Sequence, residues 1–175
     1  MIKNKNMKVA FIIGHNEKDK GSYSKHLNTT EWDLYNSMKN DLECIGDVYT
    51  HDSSINSYTQ RCIDISNRIG DKYDLVIALH FNSFNTIANG CEAFYWHSNK
   101  DGFNYASKFV KGYCMLTGSR PRGAKEYKSN TERGAGEVYY PKNTAILLEP
   151  FFGDNKEDCE RFCVDKFIKA IKGML

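Results

Sequence analysis

The stretch "DLVIALHFNS", Asp74–Ser83, runs from Leu75 to Leu79 without a polar residue and then meets His80. An apolar run of this length, bounded by polar residues, reads as a buried strand. A histidine at its end is, taken alone, a half-buried side chain with one hydrogen-bond partner. The surrounding chain gives His80 a second meaning. Upstream, "KVAFII" reads as another strand and stops at Gly14 and His15, before a polar loop to Asn28. Downstream, "TAILLEPFF" reads as a last strand carrying Glu149 directly before Pro150, which cannot donate to a sheet ladder.

Helical patterns alternate with these strands. In "TEWDLYNSMKNDLECIG" the residues Leu34, Tyr35, Met38 and Leu42 share a face, and Gly46 follows the end. "DVYTH" reads as a short second strand and "SYTQRCIDISNRIG" as a second helix. "GCEAFYWH" alternates as a fourth strand, and "GFNYASKFVKGYCMLTG" forms a third helix stopped by Gly118. Ser119 to Gly136 reads as a Gly- and charge-rich loop, and a final helix begins near Asn155. The order predicts a single α/β domain over residues 1–175, a mostly parallel sheet with helices on both faces.

Composition narrows the function classes. Hydrophobic residues make up 41% and charged residues 26%, as in ordinary soluble globular chains. The 24 basic residues are balanced by 22 acidic ones, leaving +2 and no block of one sign, so nucleic acid is not an expected partner. The lysines at 3 and 5 precede an apolar run of only five residues, too short for a signal peptide core or a membrane span. The chain is therefore expected to be made in the cytoplasm with no membrane insertion. Six cysteines, at 44, 62, 91, 114, 159 and 163, form no C-x-x-C pair and read as reduced apolar side chains.

In α/β sheets, ligands sit beyond the carboxyl ends of the strands. That rule gathers His15, His80 and Glu149 at one edge. Glu149 is the most informative, because "AILLEPFF" surrounds a carboxylate with apolar residues. Such a charge is paired, protonated or near a metal; an ion pair with Arg122 or Lys125 is the structural alternative. Two histidines and a carboxylate suggest zinc with an open fourth position. Glu31 sits on the buried face of the first helix, but it also has capping-box spacing from Asn28, and Glu17 and Asp19 compete as ligands. Asn82 could hydrogen-bond substrate or stabilise a turn. Arg122 and Lys125 could hold a substrate carboxylate or belong to a solvated loop. Arg61 reads as paired within the fold, and His26, His51 and His97 as surface residues; Trp96 is either a stacking platform or core.

Taken in order, "VAFIIGH", Glu31, Arg61, "DLVIALHFNS", "GCEAFYW", "RGAK" and "AILLEPFFGDNKED" resemble the catalytic domain of the N-acetylmuramoyl-L-alanine amidases, the zinc amidases of clostridial phage endolysins above all. The resemblance runs from about Lys8 to the C-terminal helix. It implies a twisted, mostly parallel sheet of about six strands, one zinc ion held by His15, Glu31 and His80, and Glu149 as the catalytic carboxylate. It implies peptidoglycan as the partner, with no wall-binding domain in these residues, and action on the wall after the membrane is breached. The chain departs from the family in two places. The loop after His15 reads "GHNEKDKGSYS", without the usual Asp-Pro, and the strand-end motif reads "HFN" in place of His-Ala-Asn.

Overall fold

The computed structural model describes residues 7–175, so the lysines at 3 and 5 lie outside the described residues. Strand β1 (Val9–Ile13) leads through a short ribbon of β2 (Tyr23–Ser24) and β3 (Thr29–Thr30) to helix α1 (Glu31–Ser37). The chain continues as α2 (Lys39–Glu43), β4 (Asp47–Thr50), α3 (Tyr58–Ile69) and β5 (Leu75–Leu79). Then come β6 (Cys91–Trp96), α4 (Lys100–Thr117), β7 (Pro121–Tyr127), α5 (Gly136–Tyr139), β8 (Thr144–Glu149), α6 (Lys156–Arg161) and α7 (Val164–Met174). Six strands form one sheet in the order β4-β1-β5-β8-β6-β7.

β1, β5 and β8 occupy the middle of the sheet, in parallel register with one another. Their residues alternate between two apolar layers, which is why each reads as an unbroken hydrophobic run. Val9, Phe11, Ile77 and Leu148 face a layer built with Tyr35, Phe109 and Phe167 from α1, α4 and α7. Ala10, Ile12, Val76 and Leu147 face the other, with Ile65 and Ile69 of α3 and Val138 of α5. Helices on both faces press the site to the strand ends.

Several details depart from the sequence reading. The expected final helix is two pieces, α6 and α7, parted where Phe162 and Cys163 take extended backbone angles. The predicted first helix is two pieces, α1 and α2, parted at Met38, where the backbone leaves helical angles (φ −93°, ψ 8°). The expected loop from 119 to 136 holds β7 and the start of α5. β7 pairs parallel with β6 at the sheet's edge, half-exposed, so it lacks the apolar signature of a central strand and carries Lys125 and Glu126. β6 runs antiparallel to β8, placing Glu92 opposite Glu149. This reversal carries a residue from the start of one strand to the end of the others.

Candidate metal centre and active site

His15 leaves β1 in a left-handed conformation (φ 65°), which is costly for a non-glycine residue and turns its ring back over the strand ends. His80 follows β5 by one residue. Its backbone is tied on both sides: its N–H donates to Leu148 O (3.0 Å), and its carbonyl accepts from the Tyr35 hydroxyl (2.6 Å). The two rings meet edge to face with centroids 5.0 Å apart. Gly14 and Gly21 make room for them. A Cβ on Gly14 would sit 2.3 Å from the His80 ring, and one on Gly21 2.6 Å from the His15 ring. Neither glycine tolerates a side chain without moving the cluster.

Glu31 closes the group from the first turn of α1. The cap of that helix is Thr30, whose hydroxyl accepts from the Asp33 N–H, so the Asn28 capping box does not form and Glu31 is free for other contacts. One carboxylate oxygen of Glu31 accepts from the Ser22 N–H at 2.9 Å. The other lies 3.3 Å from His15 Nε2 and 3.1 Å from His80 Nδ1, and accepts from the Phe81 N–H. Burial pushes this carboxyl up, but the two histidines override it and hold it well below the ordinary range. The competing ligands are engaged by other partners, although one oxygen of Asp19 stays 3.9 Å from His15 Nδ1. Glu17 accepts from the Ser53 hydroxyl, and Asp19 is bound to Arg61 at 2.9 Å. His15, Glu31 and His80 each present one donor atom within 4.8 Å of the others, a set that suits zinc with an open position.

Glu149 ends β8 and lines the same cleft, of about 580 Å³. Here burial prevails and pushes the carboxyl up to about 7, although the positive field of His80 opposes it. The Asn82 amide donates one hydrogen to Glu149 (2.5 Å) and one to Glu92 (2.7 Å). Glu92 in turn accepts from Arg122 Nε at 2.7 Å. Asn82 therefore holds the orientation of Glu149 without neutralising it. Arg122 pairs with Glu92 and lies over the Phe152 ring; Lys125 is on the edge strand β7, and neither side chain lines the cleft. The far rim is formed by residues 130–134 together with Tyr127 and Tyr140.

Two residues of the site escaped the sequence reading. His51, read as a surface residue, is 5% exposed and hydrogen-bonded to Glu137, itself 1% exposed. Glu137 also reaches His80 Nε2 at 2.6 Å. A signal for each existed. His51 ends the strand read in "DVYTH", so the carboxyl-end rule applied to His15 and His80 covers it too. Glu137 interrupts "AGEVYY", a weaker form of the pattern around Glu149.

Solved structures with this architecture include the catalytic domain of CD27L, an endolysin targeting Clostridia difficile, at TM-score 0.77 and 22% identity, covering 96% of both chains. The catalytic domain of CwlV, an N-acetylmuramoyl-L-alanine amidase from Bacillus (Paenibacillus) polymyxa var. colistinus, matches at 0.72 and 21%, again over 96% of both. A putative N-acetylmuramoyl-L-alanine amidase from Neisseria meningitidis matches at 0.66 and 24%, over 95% of this chain and 93% of that one. At these identities the likeness establishes the fold. No curated protein is significantly similar in sequence. The sequence pattern of one family extends over residues 9–173, β1 through α7, and by that match the chain belongs to the N-acetylmuramoyl-L-alanine amidases.

Proposed function

We propose that this chain hydrolyses the amide between the lactyl group of N-acetylmuramic acid and L-alanine in peptidoglycan, using one zinc ion held by His15, Glu31 and His80. The observation that carries the reading is the convergence of those three donors with Glu149 in one cleft of a chain that belongs to this family. When bound, zinc polarises the scissile carbonyl and acidifies the attacking water.

The remaining chemistry belongs to the protein. Glu149 accepts the proton of the attacking water and delivers it to the departing nitrogen, the general base and then general acid of one cycle. A carboxyl near pH 7 suits both halves, since it gives up its proton as readily as it takes it. Asn82, by donating to Glu149, aims the carboxylate; the position also leaves it beside bound substrate. To hold the ion, His15 and His80 would each have to present an unprotonated nitrogen, Nδ1 in the case of His80. Arg122 stabilises Glu92 and through it the wall behind Glu149; with Lys125 it stands as a candidate for substrate groups that extend past the cleft.

CD27L is an endolysin, and the same role, lysis of the wall after the membrane is breached, is proposed here. Among the described residues no helix is long and apolar enough to cross a membrane. The test is digestion of purified peptidoglycan, with new L-alanine amino groups and new reducing ends counted in parallel. Amino groups should appear, and a chelator should stop them. Reducing ends without amino groups would make the chain a glycosidase and refute the reading.

A further inference from the structure

His80 uses both ring nitrogens. Nδ1 faces Glu31 and the other donors, while Nε2 lies 2.6 Å from one oxygen of Glu137. The second oxygen of Glu137 meets His51 Nε2 at 2.5 Å. Both outer side chains, Glu137 and His51, are 1% exposed. Neither takes part in the chemistry proposed above. A buried carboxylate flanked by two imidazoles is an expensive way to hold a short helix, and apolar residues of similar volume would hold it at least as well.

The arrangement has a use at the metal centre. A histidine that binds a metal through one nitrogen commonly donates the other N–H to a carboxylate, which fixes its tautomer and the plane of its ring. We propose that Glu137 is the positioning residue for His80, and that His51 locks Glu137 in place. The inference rests on the zinc reading but concerns residues outside the three ligands. By accepting the Nε2 proton, Glu137 leaves Nδ1 as the nitrogen presented to the metal. His51, arriving from the end of β4, donates to the remaining oxygen and stops the carboxylate from rotating. His51 Nδ1 has no partner among the described residues, so Glu137 is the one hydrogen-bonding contact of that ring.

Packing pins two of these residues, His80 and Glu137. The His80 ring lies across Gly14, with no room for a Cβ. Gly136, next to Glu137, sits against Cys62 of α3, where a Cβ would come within 2.8 Å of the sulfur. α5 is thereby held close to α3, and Glu137 cannot withdraw from the imidazole without unseating the helix. The ends of β5 and β4 thus meet on the Glu137 carboxylate of α5.

The test uses the whole chain and two variants, Glu137→Gln and His51→Gln, each checked for folding by circular dichroism. The first readout is zinc affinity by competition with a chromophoric chelator. Loss of an outer partner of this kind typically costs about 10–100-fold in affinity, and that range is expected for Glu137→Gln, with a smaller loss for His51→Gln. The second readout needs no metal: a downfield, slowly exchanging Nε2 proton on 15N-labelled His80, present in the wild-type chain and lost in Glu137→Gln. Wild-type affinity and His80 exchange in a folded Glu137→Gln chain would overturn the inference. If Glu137→Gln does not fold, His51→Gln decides the matter: weaker zinc binding with faster His80 exchange supports the inference, and wild-type values of both overturn it. A wild-type chain that binds no zinc refutes the zinc reading instead, and the His80 exchange measurement then still decides whether Glu137 holds the ring.

Discussion

The two walls of the cleft carry the same residue type in opposite states. On the wall built by β1, α1 and β5, Glu31 is almost fully buried, yet two imidazoles and two backbone N–H groups hold it ionised. On the wall built by β8 and β6, Glu149 accepts from the Asn82 amide beside Glu92, and burial outweighs the field of His80 and raises it to about 7. Partners, more than depth, separate the two. A carboxylate with cationic and N–H partners is a fixed anion fit to hold a metal, whereas one whose partner merely aims it is free to exchange protons.

The largest expected effect comes from breaking the first wall. Glu31→Gln keeps the shape and removes the charge, so the purified protein should fall from about one zinc per chain to nearly none, and turnover should fall to background. Elemental analysis together with a peptidoglycan digest checks this. Retained zinc would hand the ligand role to Asp19, the other carboxylate near His15.

Breaking the second wall should cost activity and spare the metal. Glu149→Gln is expected to bind zinc normally and to lose about 10²–10⁴-fold in turnover, the range of general acid–base catalysis. If zinc leaves with the activity, the two walls are not separate in function.

A smaller effect, opposite in sign, is expected in stability. In the metal-free chain Glu149 keeps its proton up to about pH 7, whereas in the unfolded chain it loses it near 4.5. Between those values the folded state binds more protons, so stability falls as pH rises through that window. Glu149→Gln removes the penalty. The metal-free variant should match the wild type below pH 4.5 and exceed it by up to about 3 kcal/mol above pH 7, at 1.36 kcal/mol per pKa unit. Urea titrations at pH 4 and pH 8 read the difference; equal stability at both would mean that Glu149 is not held in its acid form.

The smallest effect sharpens the comparison. The Glu92 charge helps to raise Glu149, so Glu92→Gln should move the acid limb of the activity profile to lower pH by less than about one unit. An unmoved limb would show that Arg122 already cancels Glu92.

Parts of the site were legible before any coordinates. The runs "VAFII", "LVIAL" and "TAILLE" are apolar on both faces, so their first polar successors had to fall at strand ends, and a parallel sheet brings such ends together. The apolar runs therefore mark His15, His80 and Glu149 as strand-end residues. Glu31 is ambiguous in the sequence, because its spacing from Asn28 also fits a capping box; only the observed Thr30 cap separates the two. β7 is not legible in the sequence, because an edge strand half in solvent has no periodicity to detect. His51 reads as a surface residue although it is buried, because a histidine after a short strand looks the same whether or not a helix from later in the chain covers it.

The sequence by itself determined which residues end the central strands, since hydrophobic periodicity is local and a strand buried on both faces leaves little choice. Only the tertiary structure decided which side chains those ends meet. Glu137 reaches His80 from 57 residues away and His51 from 86. Glu92 faces Glu149 because β6 runs against β8, and Asn82 lies between the two carboxylates. Strand direction and long-range packing set those pairings, and a local residue pattern carries neither.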